Sequence, residues 1–377
     1  MLAIQQLIAT RPLQRRKIDA FLERHSVPIV EGRDVTFVFH GRADQVNLRH
    51  FIYGLPSCQP FLRVEGTDLW YRVLELPEMS RVEYKIERVL GEDREWLMDP
   101  LNPHIARDPY GANSVCHGAG YQTPEWTLPD REARPGRIVE SEFTPGSAGV
   151  CGPLRVYLPA RFREHRRYPL LIVHDGADYV RYASLKIVLD NLIHRLEIPP
   201  MIVALIDSAR RLETFAADPA HAQLLTRELL PWMEQRYPLV RRAESRALMG
   251  ASFGGVAALH TAWRHPGVFG KLLLQSGSFA FSDIGDHKRG PLFDPIVRFV
   301  NELRENPGRP SSQVFLSCGT YESLIYENRS MVPLLQSSGM DVRFVEARDG
   351  HNWENWRDRL REGLSWLFPG PLWMVYE

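Results

Sequence analysis

Apolar residues follow one pattern in the first part of the chain and another in the second. Near the start, Ile18, Phe21 and Leu22 recur at i, i+3 and i+4, which predicts a helix over 2–24 with one stripe free to dock. Val35-Thr-Phe-Val-Phe39 then alternates with period two, and Leu69 to Pro77 and Val82 to Leu90 also read as strands. Gly41, Pro56, Gly66, Pro77 and Gly91 punctuate the gaps between them. Short strands at close spacing, with almost no helix, predict a β-sandwich over about residues 30–120. Residues 121–136 place Pro124, Pro129 and Pro135 among charged side chains and read as a linker. The expected domains are therefore 1–120, 121–136 as linker, and 137–377.

From Arg137 the period changes. Strands at 138–144 and 150–158 read as an antiparallel opening pair. Apolar runs follow at Leu170–His174, Met201–Ile206, Ala247–Met249, Lys271–Gln275, Val314–Ser317 and Val342–Val345. Helical stretches near 181–195, 219–236, 291–305, 324–338 and 353–367 lie between or after them. Near-continuous Leu/Ile/Val strands separated by helices predict a parallel sheet covered on both faces.

One turn in this second part carries chemistry. Gly250-Ala-Ser-Phe-Gly254 is a G-x-S-x-G set between an apolar strand end and a small, apolar helix. Such a turn lifts the hydroxyl of Ser252 above the sheet edge, close to the free N–H groups of a helix start. A Cβ at Gly250 or Gly254 would crowd it. The expected fold class is α/β: an α/β-hydrolase with a mostly parallel central sheet, preceded by the β-sandwich.

In that fold the nucleophile, acid and base follow in the order Ser, acid, His. Four histidines follow Ser252. His260 lies in the elbow helix, and His265 and His287 come before the last strands. His351, in Asp349-Gly-His-Asn-Trp353, stands after a late strand and before the last helix, where the general base belongs. Glu322, in Gly319-Thr-Tyr-Glu322, is the preferred acid, with Asp341 and Asp349 as competitors. The oxyanion hole requires two N–H donors. Phe253 supplies one, and the loop His174-Asp-Gly-Ala-Asp178 the other, Ala177 ahead of Gly176. Tyr321 and Trp353 are expected to bind substrate.

Composition removes other classes. Lys+Arg and Asp+Glu both number 46, so no net charge draws the chain to nucleic acid or an anionic membrane. Cys58, Cys116, Cys151 and Cys318 are far apart and form no C-x-x-C, which argues against zinc, a redox pair or a disulfide framework. Met1 to Ala20 lacks a signal-peptide pattern, and no apolar run is long enough to span a bilayer, so a cytoplasmic setting is expected. No metal or other cofactor is expected, and the partner is a small-molecule ester. Trp70, Tyr71 and Tyr84 could form a sugar-stacking platform, but aromatics at strand spacing are more often core.

Several segments are familiar as a set. Glu228-Leu-Leu-Pro-Trp232, Gly250-Ala-Ser-Phe-Gly-Gly255, Gln275-Ser-Gly-Ser-Phe279 and the His351…Trp356-Arg357 ending resemble the esterase D-like branch of the α/β-hydrolases, and more narrowly the enterochelin (ferric enterobactin) esterases. Glu65 to Tyr71 and Asp99-Pro-Leu-Asn-Pro103 are similar to that family's N-terminal early-set β-sandwich. The resemblance implies hydrolysis of ester bonds in a catecholate trilactone siderophore, with iron belonging to the substrate. It matches Ser252, His351 and Glu322 to the family's catalytic positions. It also marks Arg210 and Glu213 as an Arg-x-x-Glu element, with Arg210 facing an anionic substrate. The sequence departs from the family in Asp349-Gly-His-Asn352, where Gly-Gly-His-Asp is usual, and in the small Ala177. Two alternatives stand beside this reading: a feruloyl, acetyl or short-chain acyl esterase on the same machinery, and a non-catalytic binding module.

Overall fold

The computed structural model describes residues 1–10, 13–144, 154–282 and 289–371. They form two compact units. The first joins Met1–Thr123 to two short segments from late in the chain, Gly319–Glu322 and Ala347–Asn352. The second holds Pro124–Cys318, Ser323–Glu346 and the chain from Trp353 onward. The division falls after Thr123.

The first unit opens with two helices, Ala3–Ala9 and Arg15–Arg24, where one continuous run was expected. Ile4, Leu7, Ile18 and Phe21 pack with Val38 and Leu69 of the sheet. Ten strands follow: β1 Ile29–Glu31, β2 Asp34–His40, β3 Gln45–His50, β4 Cys58–Pro60, β5 Leu62–Arg63, β6 Leu69–Glu75, β7 Arg81–Leu90, β8 Asp93–Leu97, β9 Ile105–Asp108 and β10 Gly111–His117. They form two sheets, β1-β2-β6-β5 and β4-β3-β7-β10-β9, with β8 on β7. Val35, Phe37 and Phe39 of β2 share one core with Val46, Leu48, Tyr84, Ile86 and Cys116 from the other sheet. Because β2 is covered on both sides, its apolar run is nearly continuous. Trp70 and Tyr84 are 5% and 1% exposed, so both belong to the core.

Among the described residues, the second unit forms one eight-stranded sheet. Its strands are β11 Arg137–Glu140, β12 Arg155–Leu158, β13 Leu170–His174, β14 Ile202–Ile206, β15 Arg246–Ala251, β16 Lys271–Gln275, β17 Gln313–Gly319 and β18 Asp341–Ala347. The order is β11-β12-β14-β13-β15-β16-β17-β18. The opening pair is antiparallel, as expected, and residues 145–153 of its connection lie outside the described residues. From β14 to β17 the pairs are parallel. Alternate side chains serve opposite faces: Leu170, Ile172, Leu248, Leu272 and Val314 enter one cluster, and Leu171, Val173, Met249, Leu273 and Phe315 the other. Burial on both faces explains why these strands read as unbroken apolar runs.

The helical stretch expected at 181–195 is two helices, Gly176–Tyr182 and Leu185–His194, parted at Ser184 with φ 50°. The stretch at 219–236 widens into a π-type turn over Leu224–Leu229 just before Pro231. That proline lacks the N–H which would bond back to Arg227, and its ring crowds the same carbonyl. The chain leaves β13 toward β14 and returns on the other side as β15. The strand order therefore reverses at β13 and β15, whose carboxyl ends are where an open α/β sheet places its ligands.

Candidate active site

Ser252 occupies that reversal. It follows β15 directly and precedes the helix Phe253–Arg264, with φ 56° and ψ −120°. A non-glycine residue in this region stores strain of about 1–3 kcal/mol and persists only where its surroundings impose it. Here they do. A Cβ on Gly250 would lie 2.3 Å from the Gly254 carbonyl, so the turn closes only around glycine. Ser252 N–H donates to Gln275 O at 3.0 Å, and Ser278 N–H donates to Ser252 O at 3.2 Å. The Ser252 and Ser278 hydroxyls are 3.2 Å apart. Phe253 N–H stands at the first helical position, which has no intrahelical acceptor.

The neighbouring loop follows β13. Asp175 adopts a left-handed backbone with φ 56° and is buried. Burial pushes its carboxyl up, and Arg211 opposes this with two hydrogen bonds of 2.6 and 2.7 Å. Gly176 has no room for a side chain, since a Cβ would lie 2.5 Å from Leu205 Cβ. Ala177 N–H, the expected second oxyanion donor, donates to Asp207 Oδ1 at 3.0 Å and is thus already engaged. Asp207 also pairs with Arg155 at 2.5 Å. His174 Nδ1–H donates to Met249 O at 3.0 Å and ties the ends of β13 and β15 together. Its Nε2 then accepts from His221 Nε2–H at 3.0 Å. Burial drives the His174 imidazole down to about 4, so it is held neutral.

Glu322 and His351 lie in the two late segments of the first unit. His351 Nδ1 meets Glu322 Oε2 at 2.6 Å. The other Glu322 oxygen accepts Gly319 N–H at 2.6 Å, and the carboxylate side chain is 3% exposed. A carboxylate on Nδ1 fixes the tautomer that leaves Nε2 as the basic nitrogen. Gly319 is required for this arrangement, because a Cβ there would sit 2.2 Å from Asp349 O and 2.9 Å from Glu322 Oε1. Of the competing acids, Asp341 is exposed at the start of β18. Asp349 turns toward Arg81, Asn352 and its own Gly350 N–H.

The three residues expected at the substrate make these contacts within their own units. Tyr321 spends its hydroxyl on Ser80 at 2.6 Å and packs against the core of the first unit. Trp353 is 8% exposed and packs edge-on against Tyr179 and Trp356, with ring centroids 5.2 and 4.8 Å away. Arg210 is exposed, pairs with Glu213 at 3.4 Å, and lines a cleft of about 450 Å³ with His260, Trp263 and Arg264 near the far end of the elbow helix. Its neighbour Arg211, which sequence reasoning passed over, is the arginine that reaches the loop after β13. Nothing local distinguishes the two, since the partner Asp175 is distant in sequence. Among the described residues no group of three or more His, Cys, Asp or Glu is arranged to hold a metal ion. Among the same residues no helix is long and apolar enough to cross a membrane.

With this geometry in place, comparison with known proteins is informative. The Esterase family profile matches residues 152–367. The chain is 26% identical over 330 residues to iron(III) enterobactin esterase of Escherichia coli O6:H1 (strain CFT073), covering 80% of each protein. It is 29% identical over 348 residues to the enzyme of the same name from Dickeya dadantii (strain 3937), covering 83% of this chain and 80% of that one. The crystal structure of ferric enterobactin esterase from Salmonella typhimurium superposes with a TM-score of 0.72 at 22% identity, over 89% of this chain and 93% of that one.

Proposed function

We propose that this chain, which belongs to the Esterase family, is a serine carboxylesterase working through an acyl-enzyme on a catecholate trilactone of the enterobactin type. The observation that carries the reaction type is the strained elbow: Ser252 at φ 56° and ψ −120°, closed around Gly250. In the proposed reaction Ser252 Oγ attacks the ester carbonyl and His351 Nε2 takes its proton. Glu322 orients the ring and stabilises the imidazolium. The tetrahedral oxyanion takes the Phe253 N–H. Ala177 N–H joins it only where Asp207 yields that donor. Collapse expels the alcohol, which receives the proton from His351. Water then repeats the sequence on the acyl-enzyme, releasing a carboxylate and free Ser252.

The choice of substrate rests on the relatives, which are enterobactin esterases. Any iron enters as part of the substrate. A cytoplasmic setting fits such a substrate. The first unit, with its two sheets and shared core, is read as the early-set sandwich of that family.

The test is a hydrolysis panel of ferric and iron-free trilactone, a feruloyl ester and an aryl acetate, followed by mass spectrometry. The reading predicts that trilactone is opened with kcat/KM at least about tenfold above the other esters, a difference of 1.4 kcal/mol in transition-state binding. Preference for the feruloyl ester would move the protein to the alternative substrate class. No hydrolysis of any ester would leave the binding-module reading.

A further inference from the structure

Within the first unit, one buried cation grips the loop that carries His351. Arg81 opens β7 and is 1% exposed. Its Nη1 donates to Asp349 Oδ1 at 3.2 Å and to Asn352 Oδ1 at 2.9 Å. Its Nη2 donates to Glu83 at 3.0 Å, and its backbone N–H donates to Arg348 O at 2.9 Å. One residue therefore holds the loop on both sides of the histidine, at 348 and 349 before it and at 352 after it. Asp349 completes the clamp by accepting Gly350 N–H at 2.7 Å and Asn352 Nδ2 at 2.8 Å.

The residue before Arg81 holds the other loop. Ser80 Oγ meets the Tyr321 hydroxyl at 2.6 Å, one residue from Glu322. Tyr321 N–H in turn donates to Asp349 O at 3.1 Å, and Thr320 N–H donates to Ala347 O at 2.7 Å. Two consecutive residues at the start of β7 thus fix both partners of the 2.6 Å His351–Glu322 hydrogen bond. The His351 side chain is itself 37% exposed.

We infer that Ser80 and Arg81 form a positioning element for the acid–base pair, with Arg81 acting on His351 through Asp349 and Asn352. The inference rests on the proposed esterase reading. A charge-assisted network of this kind sets orientation as well as energy. Loss of the guanidinium leaves a buried carboxylate without its main counter-charge, and the loop must rearrange around it.

The experiment uses the full chain and Arg81→Met, Arg81→Lys and Asp349→Asn variants, each checked by far-UV circular dichroism. Two quantities are read: kcat and KM on an aryl ester, and the low-field proton resonance of the His351–Glu322 hydrogen bond, assigned by its disappearance in His351→Gln. Arg81→Met is expected to lose about 100-fold in kcat, the cost of a small misplacement remote from the chemistry, with KM nearly unchanged and the resonance broadened or lost. Arg81→Lys should recover part of both. A folded Arg81→Met with wild-type kcat and an unchanged resonance would overturn the inference. If Arg81→Met fails to fold, Asp349→Asn decides: it keeps the hydrogen-bond acceptor but not the charge, so kcat should fall about tenfold, and an unchanged kcat and resonance would overturn the inference. If the wild type cleaves no ester at all, the esterase reading fails, while the resonance still decides whether Arg81 positions the histidine.

Discussion

The turn bearing Ser252 and the loops bearing Glu322 and His351 are held by different forces. The serine is fixed by covalent geometry and steric exclusion. Gly250 admits no side chain, the backbone is strained, and apolar residues line both faces of the flanking strand. Glu322 and His351 are fixed by polar contacts: a carboxylate on a ring nitrogen, a buried guanidinium on a carboxylate, a tyrosine on a serine. The lesson is that a side chain set by sterics tolerates changes in charge, while a pair set by hydrogen bonds does not. The reverse holds for changes in volume.

The largest effect should come from the proposed nucleophile. Ser252→Ala is expected to lower kcat about a million-fold with folding intact, measured by ester turnover and circular dichroism. Glu322→Gln keeps the shape but changes the charge, so kcat should fall about 10⁴-fold with an unaltered thermal midpoint. Retained activity would show that charge does not govern that half. Gly250→Ala adds only volume and should destabilise the second unit by about 3 kcal/mol or more in urea unfolding, since a Cβ there overlaps backbone. A stable Gly250→Ala protein would remove steric closure from the account.

The smallest effect is one of pH, and it differs in sign between the two regions. His174 is held down at about 4 against an ordinary 6.5, so the unfolded chain binds more protons than the folded one between those values. Its contribution is complete above pH 6.5 and is lost as pH falls, by roughly 2–3 kcal/mol at pH 4.5. Asp349 is pushed up to about 6 from 3.8, chiefly by burial, with Arg81 opposing. Its contribution is complete below pH 3.8 and is lost as pH rises toward 6. Hydrogen exchange followed by mass spectrometry, corrected for intrinsic rates, should show 170–177 opening on acidification while 347–352 does not. Parallel behaviour of the two segments would contradict the contrast.

The same contrast explains what was legible in the sequence. The elbow could be read because strand period, glycine spacing and helix start are all local and lie within Ala247 to His260. The two-sided burial of the parallel sheet was legible for the same reason. The pairing of His351 with Glu322 rather than Asp341 or Asp349 depended on chain order within the fold, and the structure supplies the contact. Contacts made across long stretches of sequence left no local mark. Arg81 meets Asp349 across 268 residues, and Ala177 N–H is taken by an aspartate 30 residues on. Trp353, expected near the mouth, begins a helix and packs on Tyr179 and Trp356, contacts that left no mark in the local sequence.

The central claim is that His351, oriented by Glu322, makes the strained hydroxyl of Ser252 nucleophilic. The most direct measurement is the rate of covalent labelling by a fluorophosphonate, with peptide mapping, in wild type and in His351→Gln. The account predicts a single label on Ser252 and a rate at least about 1,000-fold slower in the variant. Labelling of another residue, or an equal rate in the two proteins, would contradict it.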